Sequence, residues 1–312
     1  MPKLQKLYEK MKNNKHSFKA WLIATRPWSF PASSMPIVAT LAYLYWAGES
    51  VNWLIGLWTL VTIIVFHAAG NTWSDYFDFK KGVDREDTVG GTSITSGEFQ
   101  ACEIKRLATC LLAVAVASGL ALAYCTGLPT LYFGLAGCVL TLLYPQLKYR
   151  ALGDLDIFLT YSVLPILGTS YVATGSIVEK VLWLVLPIGL ITVGILHINN
   201  ARDMEHDKRA GIKTFAMLLG KRASVYVYIA ELFLPFIVVA VAIPFDAMPA
   251  GAVAVAIALK PAIDNARAML KLPTEGMKAV TGVDEQTAKL QLAFSMILSV
   301  TCIVSALLDS IL

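Results

Sequence analysis

The sequence predicts an all-α integral membrane protein, a bundle of nine transmembrane helices with a cytoplasmic N-terminus, on three observations. Of the 312 residues, 56% are hydrophobic and only 15% charged, and the mean hydropathy is +0.62; a soluble domain carries roughly 25% charged residues. The apolar residues arrive in blocks of about twenty, enough helix to cross a ~30 Å hydrocarbon core, and not in the alternating segments of about ten that build membrane barrels. With nine such blocks, 25 of the 26 basic residues fall in loops on one side and only Lys180 on the other, as expected when Lys and Arg are retained in the cytoplasm. The same composition excludes a secreted disulfide scaffold, a disordered chain and a nucleic-acid-binding module.

In chain order, residues 1–20 are polar and basic with no cleavage site ahead of the first span, so they are expected to stay as a cytoplasmic segment on anionic headgroups. The spans follow at 28–47, 53–73, 105–125, 128–145, 153–174, 181–199, 224–243, 246–260 and 289–309. The eighth is short and rich in small residues, and is expected to tilt or to pack inside the bundle. Residues 261–288 are polar enough to form a cytoplasmic excursion, helical in part. The five cysteines are scattered without a CxxC pair and read as small core hydrophobes. No solenoid period, Pro-rich linker or low-complexity tract divides the chain, so 1–312 is expected to be a single domain in the cell membrane.

The carboxylates are not spread evenly. One group opens at the end of span two, NTWSDYFDFKKGVDREDTVGGTSITSG (71–97), with Asp75, Asp78, Asp84, Glu86 and Asp87. The other opens at the end of span six, HINNARDMEHDKRAGIKTFAMLLGKR (197–222), with Asp203, Glu205 and Asp207. Continued as helix, Asn71, Asp75 and Asp78 share a face, as do Asn199, Asp203 and Asp207. Stacked like charges repel unless a cation compensates, and oxygen-only donors suit Mg²⁺, which shares itself readily with phosphates. Lys148, Arg150 and Lys213 fit the diphosphate such metals carry. Nine spans facing lipid suit a long isoprenoid chain whose diphosphate is held at the cytoplasmic surface. Within the spans, His67 and His197 are expected to be hydrogen-bonded in the bundle or to orient the carboxylates. Glu231 is expected to bond Tyr226 or another hydroxyl, with a role at the acceptor site as the sharper alternative. Trp28, Trp73, Tyr76, Tyr144, Tyr149 and Tyr161 are candidate pocket walls that shield a developing cation, with the interfacial belt as the alternative for several and the favoured reading for Trp28.

These motifs resemble those of the UbiA superfamily of membrane prenyltransferases. NNARDMEHDKRAGIKT (199–214) is similar to the family's N-x-x-x-D-x-x-x-D followed by Gly-x-Lys-Thr. Asn71, Asp75, Asp78 and then Asp84 resemble the naphthoate branch, as do TRPWSFPASSMP (25–36), LKYRALGDL (147–155) and LPILGTSYVATG (164–175). Ser74 stands where the family often has Asn, and GGTSITSG (90–97) replaces the branch's usual Gly-Pro and Arg. The resemblance implies a nine-helix bundle, Mg²⁺, a polyprenyl diphosphate donor and an aromatic acceptor. In the naphthoate branch that acceptor is 1,4-dihydroxy-2-naphthoate, which loses its carboxylate to give demethylmenaquinol. On this reading Asp75, Asp78, Asp203 and Asp207 are the catalytic, metal-holding residues, and Asp84 completes a metal shell or orders the loop. Asn71, Asn200, Lys148, Arg150, Lys213, Tyr149 and Arg26 bind substrate. Another aromatic or lipid acceptor is the alternative within the family, and a secondary transporter is the alternative outside it.

Overall fold

The structure, a computed structural model, describes residues 16–84 and 93–311, and within them the chain is helical throughout. Helix α1 (Phe18–Ala24) is capped by the Ser17 hydroxyl, which accepts from the Ala20 amide at 3.1 Å. A 3₁₀ turn at Pro27–Ser29 leads to α2 (Pro31–Trp46). Asn52 caps the long α3 (Trp53–Lys81), which ends on Gly82 at φ 73°, a left-handed position natural to glycine. A capping box of Gln100 and Glu103 starts α4 (Ala101–Thr126), and α5 (Leu128–Lys148) follows directly. Then come α6 (Gly153–Phe158), a π-helical stretch at Leu159–Val163 and α7 (Leu164–Thr174). The second half comprises α8 (Leu182–Arg202), α9 (Met204–Arg209), α10 (Phe215–Ala242), α11 (Leu259–Leu270), α12 (Leu272–Glu275) and α13 (Val283–Asp309).

Among the described residues, seven helical segments are long and apolar enough to cross a membrane: Trp53–Lys81, Ala101–Thr126, Leu128–Lys148, Gly153–Thr174, Glu179–Arg202, Phe215–Phe245 and Val283–Asp309. The other two of the nine expected spans take shorter or different forms. The first is the 16-residue α2, about 24 Å long at 1.5 Å per residue, because Pro27 and Pro31 break the helix ahead of it. The eighth winds as a 3₁₀ helix over Ala250–Ala258 before continuing as α11; its alanines and glycine let it lie close against α13, where a Cβ on Gly251 would meet Thr301 and Ser305 at ordinary contact distance. The expected excursion at 261–288 is helical for most of its length.

α8 is the axis of the molecule. It packs along α10 and α13, and two thirds of its most apolar stretch is buried inside protein, against 6% for α5. Its apolar residues are therefore core and those of α5 face outward, which a stripe of hydropathy alone does not distinguish. The core is built from Ile188, Ile191, Tyr228, Leu232, Phe294 and Tyr43, the last donating its hydroxyl to the Ala247 carbonyl. α3 and α4 pair on the other side of the bundle.

Candidate active site at the helix ends

The last turns of α3 place Asn71, Asp75 and Asp78 on one face, as the spacing predicts, and Asp75 and Asp78 are both buried. Beyond Gly82 the chain turns back, with the Val83 and Asp84 amides donating to the Asp78 carbonyl at 2.9 and 3.3 Å. Asp84 thus returns to the same site, while Glu86 and Asp87 lie outside the described residues. The second motif differs from its prediction. It is not one continuous helix: Asp203 (φ −95°, ψ 10°) ends α8, and its carbonyl accepts the His206 and Asp207 amides that begin α9. The physical cause lies next door, where the Arg202 guanidinium grips Asp203 through Nε at 2.9 Å and Nη2 at 2.7 Å, and reaches Asp284 of α13 through Nη1 at 2.9 Å.

These ends enclose a polar cavity of about 570 Å³ lined by Arg26, Asn71, Asp75, Asp78, Asp84, Lys148, Asn200, Asp203 and Asp207 among the predicted residues. Arg26 pairs with Asp75 at 2.5 Å and Lys148 with Asp78 at 3.1 Å. The Tyr149 hydroxyl donates to Asp78 at 2.7 Å, and Asn71 anchors to Ser29 and to the Thr25 carbonyl, both at 2.9 Å. Arg150 and Lys213 are not brought into the cavity. Both are exposed, and they join the two loops through backbone instead: they form an isolated β-bridge, and the Lys213 amide donates to the Tyr149 carbonyl at 3.1 Å.

Sequence reasoning did not assign Arg202, Asp156, Asp284 or Glu285 to the site, though all four line it. Arg202 stands inside the second motif and could have been found there; Asp284 is 82 residues away in sequence and carries no local signal. Of the aromatic candidates, Tyr144, Tyr161 and also Trp28, read from the sequence as interfacial belt, line the cavity, whereas Trp73, Tyr76 and Tyr149 are not in its lining. His67 is held by Ser33 at 2.7 Å and Ser29 at 3.3 Å, the bundle hydrogen-bonding foreseen for it. Glu231 does not meet Tyr226, which is 72% exposed; it faces His197.

Eight carboxylates line the cavity against three fixed cations, Arg26, Lys148 and Arg202, among the described residues. Burial, reinforced by Asp203, Asp78 and Asp84 and opposed by Lys148, pushes Asp207 up to about 7. Burial, then Asp78, also raises Asp84. Burial works against the Arg26 charge, but Asp75, Asp84 and Asp78 together raise it. An excess of buried negative charge with oxygen-only donors is a fit for hard divalent cations.

Beside this cavity lies an apolar pocket between α3, α4, α5 and α7, which shares Gly70, Thr141, Thr160 and Tyr161 with it as a common wall. Gly119, Gly134 and Gly137 line the pocket with open space where a Cβ would point. Thr160 and Tyr161 belong to the π-helical stretch, whose wider turn rotates them onto the shared wall.

Residues 35–277 match the UbiA prenyltransferase family. The chain belongs to that family. Among curated relatives, the UbiA prenyltransferase domain-containing protein 1 of Xenopus tropicalis is 32% identical over 245 residues, which cover 76% of this chain and 70% of the relative. Among solved structures, the apo form of a UbiA homolog from Aeropyrum pernix K1 has a TM-score of 0.67 at 17% identity, covering 90% of this chain and 98% of that one. A UbiA homolog from Archaeoglobus fulgidus, solved bound to DMAPP and Mg²⁺, has a TM-score of 0.60 at 14% identity, covering 90% and 99%. The fold is thus that of the family. The curated relatives carry a name that specifies the family and not its naphthoate branch.

Proposed function

We propose that this protein transfers a polyprenyl group from its diphosphate to an aromatic acceptor, with Mg²⁺ as cofactor. The observation that carries the reading is a carboxylate-rich cavity adjoining an apolar pocket across a shared wall: one compartment suits metal and diphosphate, the other an isoprenoid tail. The relative solved with DMAPP and Mg²⁺ supports the same pairing.

Asp75, Asp78, Asp203 and Asp207 would hold the metal, with Asn71, Asn200 and Asp84 beside them. Bound Mg²⁺ would neutralise the diphosphate and so stabilise it as a leaving group. Lys148 and Arg26, paired here with Asp78 and Asp75, add fixed positive charge at the wall where the diphosphate would lie. When the allylic C–O bond breaks, its electron pair departs with the diphosphate. The rings of Tyr144 and Tyr161, at the junction of the two compartments, face the carbon that becomes cationic. The electron-rich acceptor ring then forms the new C–C bond.

The finer reading is 1,4-dihydroxy-2-naphthoate as acceptor, with its carboxylate lost as CO₂ to give demethylmenaquinol. Its support is the resemblance of 25–36, 147–155 and 164–175 to the naphthoate branch. The distribution of basic residues supports a cytoplasmic site on a multi-pass cell-membrane protein. The test is turnover by the purified protein in detergent with Mg²⁺, labelled polyprenyl diphosphate and a panel of aromatic acceptors. Prenylated naphthoquinol with released CO₂, abolished by EDTA, is the expected result. A different prenylated acceptor would overturn the branch, and no Mg²⁺-dependent donor consumption would overturn the activity.

A further inference from the structure

A second group of ionisable residues lies apart from the cavity, inside the bundle. Asp154 at the start of α6, His197 near the end of α8 and Glu231 in α10 bring one ligand atom each to within 4.8 Å of one another. They are 8%, 0% and 6% exposed, and none of them lines the polar cavity. His197 Nδ1 is 3.5 Å from Asp154 Oδ1 and 3.2 Å from Glu231 Oε1. Yet both oxygens of Asp154, both nitrogens of His197 and Oε2 of Glu231 have no hydrogen-bond partner among the described residues.

Ordinary hydrogen bonding does not account for this geometry. Nδ1 offers at most one proton, whereas two carboxylates converge on it. Even with the imidazole protonated, two ionised carboxylates leave a net charge of −1 in an apolar bundle, at a cost that normally forces protonation or metal coordination. A tetrahedral ion with metal–ligand distances of about 2.0–2.1 Å has donors about 3.3–3.4 Å apart, and the observed separations of 3.2 and 3.5 Å bracket that spacing. Asp154 Oδ2 and Glu231 Oε2, both unpartnered, can supply further donors by bidentate coordination. One imidazole nitrogen with carboxylate oxygens and no thiolate is a zinc-type set, harder than a thiolate site and softer than the oxygen-only set of the cavity.

We propose that Asp154, His197 and Glu231 bind one divalent transition ion of the zinc class, at a site separate from the carboxylate cavity. Such an ion ties α6, α8 and α10 together. α6 follows the end of α5, which carries Lys148 and leads to Tyr149, and α8 leads directly to Asp203, so the ion holds the two halves of the cavity in register.

The test is metal analysis of the full-length protein, produced with zinc in the growth medium and purified in detergent with excess Mg²⁺ to compete at the cavity. About one zinc per chain is expected, retained in Asp203→Asn and reduced at least about tenfold in Glu231→Gln and His197→Gln. X-ray absorption at the zinc edge should show a shell of nitrogen and oxygen at about 2.0–2.1 Å. Transition metal at background in folded, monodisperse wild type would overturn the proposal and leave a shared proton as the occupant. Zinc unchanged in both Gln variants would overturn it equally. Glu231→Gln keeps the side chain's shape, and the wild-type measurement decides even if His197→Gln does not fold.

Discussion

Arg26 sits in the left-handed backbone region, φ 55° and ψ 59°, where a side chain bearing Cβ is strained by ~1–3 kcal/mol. That conformation turns the chain between α1 and α2 and delivers the guanidinium to Asp75. Removing a preorganised charge at such a site lowers turnover by about 10²–10³-fold. Asp75→Asn and Asp203→Asn should each lose activity on that scale while remaining folded; full activity in both would remove the metal assignment. Asp207 provides a pH readout. Raised to about 7 by burial, it contributes stability to the metal-free protein that is fully present below an unfolded carboxylate's ~3.9 and is lost as pH rises through about 7. Mg²⁺ requires the ionised form, so its binding releases a proton and tightens as pH rises. The rise in Tm on adding Mg²⁺ should be larger at pH 8 than at pH 5.5, and Asp207→Asn should flatten the difference; equal shifts at both pH values in wild type would count against Asp207 as a ligand. At this scale the residue types and spacing placed both acidic motifs, because a helical period is a local property. Asp284 was not legible in this way because its pairing with Arg202 spans α8 and α13.

At the scale of elements, the π-helical stretch and the glycines of the apolar pocket decide what the second compartment can hold. Gly134 lines the pocket and has open space where a Cβ would stand, so Gly134→Trp introduces bulk at the pocket wall without a backbone clash. The variant should process a short donor such as dimethylallyl diphosphate close to normally and lose a long polyprenyl donor by at least about tenfold, the cost of removing 1–2 kcal/mol of apolar contact. Equal loss for both donors would argue that the tail lies elsewhere. The break between α8 and α9 is likewise an element-scale feature. A 4-residue spacing predicts continuous helix, but the chain leaves helical geometry at Asp203, whose carboxylate is held by Arg202 and makes no side-chain cap for α9.

At the scale of the whole molecule, the distribution of basic residues predicts that the 175–181 loop faces away from the cytoplasm and the 203–214 loop faces into it. In a background without the five native cysteines, Ile177→Cys should react with a membrane-impermeant maleimide on intact cells, and Lys208→Cys only after permeabilisation. The reverse pattern would invert the topology and place the proposed site on the outer face. Ile177 and Lys208 are both exposed, so labelling reports sidedness and not burial.

The sequence by itself determined the helical membrane class, the positions of the long helices and the two acidic motifs, since hydropathy, helical period and charge are written locally along the chain. It also carried the family resemblance that the match over residues 35–277 supports. Tertiary structure decided the rest. Which helix is buried, how Arg202 and Asp284 meet at the cavity, why Arg150 and Lys213 serve the loops through their backbone, and the meeting of Asp154, His197 and Glu231 all depend on contacts between segments more than 30 residues apart. Such contacts depend on how helices pack, and packing in a lipid-like interior is set by shape and by the pairing of polar groups, which no single stretch of sequence records.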